Sequence, residues 1–128
     1  MKIIKSTIMK HKILYVDDEP INLMLFQTMF KSIYDVLIAS SGAEGLDLLQ
    51  KHNVEVVLSD MRMPNMTGLE FIGKAKARYP GIIFFILTGY EITPEIREAL
   101  NTKLIDKYFQ KPFDMKELNM CISQKLNI

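Results

Sequence analysis

Five short strand-like runs alternate with five stretches of helical periodicity along this chain, and that alternation limits its fold more than any other feature. The runs occupy residues 13–16, 36–39, 56–60, 82–87 and 107–110. Val56, Val57 and Leu58 are bulky or β-branched in a run too short for a helix, which is how a strand buried on both faces reads. The run from Ile82 to Leu87 is the most apolar in the chain. Between the runs, Pro20 suits a first helical turn. Ile21, Met24, Leu25, Thr28 and Met29 then recur at helical spacing, and Leu23, Phe26 and Phe30 widen the stripe.

The other helices carry start and stop signals. Ser41 with Glu44, and Thr67 with Glu70, each form a capping box. The first of these helices turns Ala43, Leu46 and Leu49 inward and ends at His52 and Asn53, asparagine being tolerated in the left-handed conformation of a helix exit. The second turns Leu69, Ile72, Ala75 and Tyr79 inward and stops at Pro80 and Gly81. Thr93 caps a helix that begins at Pro94 and lines up Ile96, Ala99, Leu100 and Lys103. Asp114 and Glu117 open the last helix, which carries Leu118, Cys121, Ile122 and Leu126.

Strands joined through helices by short connections predict an α/β fold: a doubly wound, five-stranded parallel sheet with helices on both faces. With 128 residues, 48% of them hydrophobic, the chain supplies one core and no second domain. Residues 12–128 are read as that domain and residues 1–11 as a basic N-terminal tail. The net charge of +1 argues against nucleic acid as a direct partner, and no stretch has the length or apolarity of a membrane span. Cys121, the single cysteine, excludes an internal disulfide and fits a reducing compartment, so a cytoplasmic protein is expected.

A sheet of this kind gathers its sites at the carboxyl ends of the strands. Asp17 and Asp18 follow the first run, Asp60 closes the third, Thr88 ends the fourth and Lys111 follows the fifth. Any one of these alone is an ordinary loop residue; the fold brings all five to one edge. Three carboxylates at ~4 Å repel by about 4 kcal/mol per pair at an effective dielectric near 20, so such a site calls for a cation. Oxygen ligands with no cysteine or histidine cluster favour a hard divalent ion, magnesium above all.

In this order and spacing, Asp17 and Asp18, Asp60 with Met63 and Pro64 after it, Thr88 with Gly89, and Lys111 with Pro112 and Phe113 carry a resemblance. The chain resembles the receiver domain of two-component response regulators over residues 12–128. That resemblance implies the strand order 2-1-3-4-5. It implies that Asp60 accepts a phosphoryl group from the phosphohistidine of a sensor histidine kinase or phosphotransfer protein. It implies that Asp18, Asp60 and the Arg62 carbonyl hold Mg2+, with Asp17 joining mainly through water, and that Lys111, preceding a cis proline, and Thr88 neutralise the phosphoryl oxygens. Thr88 and Tyr108 would form the switch, signalling to a downstream effector protein or domain through the fourth helix, fifth strand and fifth helix, the surface through which receivers also pair as homodimers. Thr67 stands where many receivers carry an acidic residue and is equivalent as a cap, while Arg62 and Tyr90 flank the mouth of the site at positions that tune phosphoryl lifetime.

Three competing readings fit less well. A haloacid dehalogenase type of phosphatase wants an aspartate two residues after its nucleophile, where Arg62 stands. A nucleotide or flavin module wants a Gly-rich or Ser/Thr-rich phosphate loop after the first strand, where Asp17, Asp18 and Glu19 would repel phosphate. A phosphorylation-independent pseudo-receiver usually lacks one of the acidic or lysine positions, and none is lacking. A stand-alone receiver and one segment of a longer regulator or hybrid kinase are both compatible with this sequence.

Overall fold

The computed structural model describes residues 10–128. Its elements are β1 (Lys12–Val16), α1 (Pro20–Phe30), β2 (Asp35–Ala39), α2 (Gly42–Lys51), β3 (Val56–Asp60), α3 (Gly68–Arg78), β4 (Ile83–Thr88), α4 (Pro94–Asn101), β5 (Lys107–Gln110) and α5 (Met115–Leu126). The five strands form one parallel sheet in the order β2-β1-β3-β4-β5. Of the expected basic tail, residues 1–9 lie outside the described residues. Lys10 and His11 already engage the domain, through the Lys31 carbonyl and the Glu55 carboxylate. No helix among the described residues is long and apolar enough to cross a membrane.

Successive strand side chains point to opposite faces, so the sheet divides its apolar residues between two cores. One face packs Leu14, Val16, Val57, Phe84 and Ile86 under α2, α3 and α4, with Leu49, Phe71, Ile72, Ala75, Ile96 and Ala99 facing them. The other packs Ile13, Tyr15, Val56, Leu58, Phe85, Leu87 and Phe109 under α1 and α5, against Leu23, Phe26, Phe30, Leu118 and Ile122. Val56, Val57, Leu58 and the run Phe84–Leu87 are fully buried because helices cover both sides.

The buried face of α1 is Leu23, Phe26 and Phe30, while Ile21, Met24 and Leu25 stand 65%, 59% and 55% exposed. The expected stripe on that helix was therefore rotated: nearly every position is apolar, and the aromatics win the interior because Phe26 stacks on Tyr15 and Phe30 packs on Tyr34. Ala43 is exposed, and α2 instead turns Gly42 and Gly45 to the core, where the Phe71 ring would have to give way to a Cβ at Gly45. The capping box on α3 is complete; on α2 Ser41 caps, but the Glu44 carboxylate bonds to Ser40 instead of closing the box. Asn53 is not left-handed, since α2 leaves through an extended His52, whereas Lys103 after α4 and Asn127 at the end of α5 do adopt positive φ.

Register sets the site. Val16 pairs with Ser59, Asp60 with Leu87, and Thr88 with Gln110. Asp17, Asp60, Thr88 and Lys111 consequently arrive level with one another along the carboxyl rim of the sheet.

Candidate functional site

At that rim, one carboxylate oxygen from each of Asp17, Asp18 and Asp60 lies within 4.8 Å of the other two. Lys111 reaches in from the end of β5, its Nζ 2.9 Å from Asp17 Oδ2 and 3.7 Å from Asp60 Oδ1. The lysine is placed by its own backbone, whose N–H donates to the Thr88 carbonyl at 2.7 Å, and the Lys111–Pro112 bond is cis. Asp60 is anchored by the Met61 N–H on Oδ1 at 2.9 Å.

The two inner aspartates are tuned in opposite directions. Asp17 is 0% exposed. Burial pushes its carboxyl up, but hydrogen bonds from Tyr15 and Lys111 outweigh that and hold it below its ordinary value. For Asp60, burial dominates; Lys111 opposes it, repulsion from Asp17 adds to it, and the result is about 6. One lysine does not neutralise three carboxylates. The residues fit a hard divalent cation: three oxygen donors converge, and Asp60 is held back from ionising first by burial and then by the neighbouring carboxylates, against the pull of a single lysine.

Residues 13–123 match the family described as response regulator receiver domain. The chain belongs to the response regulator receiver family. It is 32% identical over 119 residues to sporulation initiation phosphotransferase F of Bacillus subtilis, covering 92% of this chain and 95% of that one. It is 34% identical to the transcriptional regulatory protein GlrR of Escherichia coli, covering 92% of this chain but only 27% of the relative. The signal receiver domain of an HD domain-containing protein from Pseudomonas fluorescens superposes with a TM-score of 0.87 at 28% identity, covering 93% of this chain and 96% of that one. A CheY-like receiver from Methanospirillum hungatei gives 0.86 at 29%, covering 93% and 95%. The five-stranded order and flavodoxin-like layering expected from the resemblance are those of the receiver fold.

Around the receiver's acidic cluster opens a cleft of about 440 Å³, lined by Asp18, Glu19, Asn22, Asp60, Arg62, Gly89, Tyr90 and Lys111. Arg62 and Tyr90 close over its mouth as a stacked pair, the guanidinium carbon 4.1 Å from the ring centroid. Tyr90 also gathers the two expected switch residues: its N–H points to Thr88 Oγ1 at 3.4 Å, and its carbonyl accepts from the Tyr108 hydroxyl at 2.7 Å. Thr88 is buried and Tyr108 half-buried, so the two meet through the Tyr90 backbone and not through each other.

Reading the sequence missed three residues of this receiver's site. Tyr15, read as plain strand, donates its hydroxyl to Asp17 Oδ2 at 2.6 Å. Asn22, on the first turn of α1, donates to the same oxygen at 3.1 Å. Gly68 begins α3 directly against the loop that follows Asp60: its N–H bonds the Met61 carbonyl at 2.8 Å, and a Cβ there would overlap the Asp60 carbonyl oxygen and press on Ile86. A glycine following a cap was the available signal. Gly68→Ala should destabilise the domain by about 2 kcal/mol or more, because backbone cannot rotate out of the way as a side chain can. Urea denaturation measures this, and a variant within about 0.5 kcal/mol of the parent would mean the loop yields freely.

Proposed function

We propose that this domain is a phosphoacceptor: Asp60 takes a phosphoryl group from a phosphohistidine of a sensor histidine kinase or phosphotransfer protein, and the domain then relays the change to an effector. The observation that carries the reading is the convergence of Asp17, Asp18 and Asp60 with Lys111 set between the first and the last of them. In the transfer, an Asp60 carboxylate oxygen forms a bond to phosphorus while the phosphorus–nitrogen bond of the donor breaks, its electron pair remaining on the imidazole. The product is an acyl phosphate. Little other covalent chemistry is required, so the protein's part is positioning and charge neutralisation. Lys111 would meet the phosphoryl oxygens from one side and the Thr88 hydroxyl would donate to them. Mg2+, held by Asp18, Asp60 and the Arg62 carbonyl with Asp17 behind, would supply the balancing positive charge. Hydrolysis of the same bond by water would make the domain its own phosphatase.

Partner and place follow from the same reading. Ile21, Met24 and Leu25 form an exposed apolar face of α1, and Asn22 and Lys111 line both the acidic cleft and the apolar groove of Leu25, Phe26, Met29 and Phe113 beside it. A donor that brings its histidine to Asp60 lies over that face, which supports a protein donor over a free metabolite. The regulator relatives of which this chain spans about a quarter support an effector as the downstream partner. A cytoplasmic setting suits both.

The output depends on Thr88 and Tyr108. Beryllofluoride bound at Asp60 should shift amide resonances of α4, β5 and α5, and Thr88→Ala should shrink those remote shifts while Asp60 still takes up the ligand. A coupling of ~1–3 kcal/mol is expected, equivalent to roughly 5–150-fold in effector affinity. The full set of shifts in the variant would remove Thr88 from the switch.

A further inference from the structure

Asp17 is the one fully buried charge among the described residues, and its Oδ2 is crowded. It accepts from the Tyr15 hydroxyl at 2.6 Å, Lys111 Nζ at 2.9 Å and Asn22 Nδ2 at 3.1 Å, while Oδ1 accepts only the Glu19 N–H at 3.0 Å. A carboxylate oxygen has two lone pairs, so three donors on Oδ2 are one more than it needs. Lys111 is the donor with a second use, because Asp60 stands 3.7 Å from the same Nζ.

We propose that Tyr15 is a positioning residue of the phosphoacceptor site, whose hydroxyl keeps the buried Asp17 satisfied when Lys111 turns from it to the phosphoryl group on Asp60. The inference rests on the phosphoacceptor reading. A buried carboxylate abandoned by its partner carries the full cost of desolvation, which would hold Lys111 in place and oppose transfer. Tyr15 removes that obstacle because it has nowhere else to go. Its ring is 2% exposed and stacked on Phe26 at 4.3 Å and 18°, and its hydroxyl has Asp17 as its hydrogen-bond partner. Asn22 is less committed, since its amide also reaches Glu19 Oε1 at 3.3 Å.

Tyr15→Phe keeps the ring and its stack and deletes only the donor. Titrations of the full chain, followed by amide resonances, would compare the affinity for magnesium alone with that for beryllofluoride at saturating magnesium. The expected result is a loss of about tenfold in beryllofluoride affinity, the lower range for one hydrogen bond to a charge, with magnesium affinity kept within about twofold. In a Lys111→Met background the same substitution should cost little, there being no lysine to release. Unchanged beryllofluoride affinity overturns the inference. So does an equal loss for both ligands, or an equal loss with and without Lys111, either of which makes the hydroxyl a prop for the cleft. A parent protein that takes up no beryllofluoride overturns the phosphoacceptor reading itself.

Discussion

Asp60→Asn should incorporate no acid-labile phosphate from a small acyl phosphate donor, under conditions where the parent protein labels readily. The amide is close to isosteric and leaves the Met61 contact and the Lys111 approach sterically intact. What disappears is the anionic oxygen proposed to attack phosphorus; Asp17 is sealed behind Tyr15, Asn22 and Lys111, and Asp18, the other carboxylate at the cleft, is assigned to the cation. A loss of well over 100-fold is expected, equivalent to about 3 kcal/mol or more of barrier. The parent in excess chelator should lose labelling as well, because Lys111 alone faces three carboxylates and the incoming phosphoryl oxygens. Acid-labile label retained in Asp60→Asn would move the acceptor to another residue, and labelling that ignores chelator would dismiss the cation from the site. Phosphate stable both to acid and to hydroxylamine would point to an ester on a hydroxyl, and would also overturn the assignment.

What could be read in advance was whatever the strands terminate in. Asp60 and Thr88 close their strands and Lys111 directly follows one, and chain order with a parallel sheet suffices to bring them together. Tyr15 was illegible for the complementary reason. It belongs to a strand buried on both faces, where alternation is erased, so nothing in its neighbours says that its hydroxyl lies beside Asp17. The face of α1 was ambiguous in a different way. Ile21, Leu23, Met24, Leu25, Phe26, Met29 and Phe30 permit more than one apolar stripe, and only tertiary contact with Tyr15 and Tyr34 selects one. The stripe that lost is the exposed one next to the cleft. Local pattern and burial disagree there, and such disagreement is common where a surface serves function over stability. Tyr90 illustrates a third limit: its side chain was visible as a flank of the site, but its role as the backbone hub between Thr88 and Tyr108 depends on a carbonyl and an N–H that every residue possesses.

Ionisation of Asp60 should set how the stability of the metal-free domain depends on pH. Burial and the nearby Asp17 raise this carboxyl from 3.8 to about 6, against the pull of Lys111. A raised carboxyl favours the folded state while protonated, so its stabilisation is fully present below pH 3.8 and is lost as pH rises through about 6. The whole span corresponds to about 3 kcal/mol. Asp60→Asn stays neutral throughout and loses none of it. In chelator, therefore, the variant and the parent should unfold alike near pH 3.5, with the variant pulling ahead between pH 4 and 6.5 to a plateau of about 2–3 kcal/mol, or roughly 10 °C in Tm. Asp17, held below its ordinary value, works with the opposite sign, but it is present in both proteins and largely cancels in the difference. Magnesium should close the gap at pH 8 by stabilising the parent alone, since a cation gains from the ionised carboxylate and little from the amide. Urea denaturation at a series of pH values, with chelator and then with magnesium, measures each part. An advantage of the variant that is the same at pH 3.5 and pH 8 would trace to packing and not to charge, and the cost of ionising a buried Asp60 beside Asp17 would then lose its place as the force that makes this rim call for a cation.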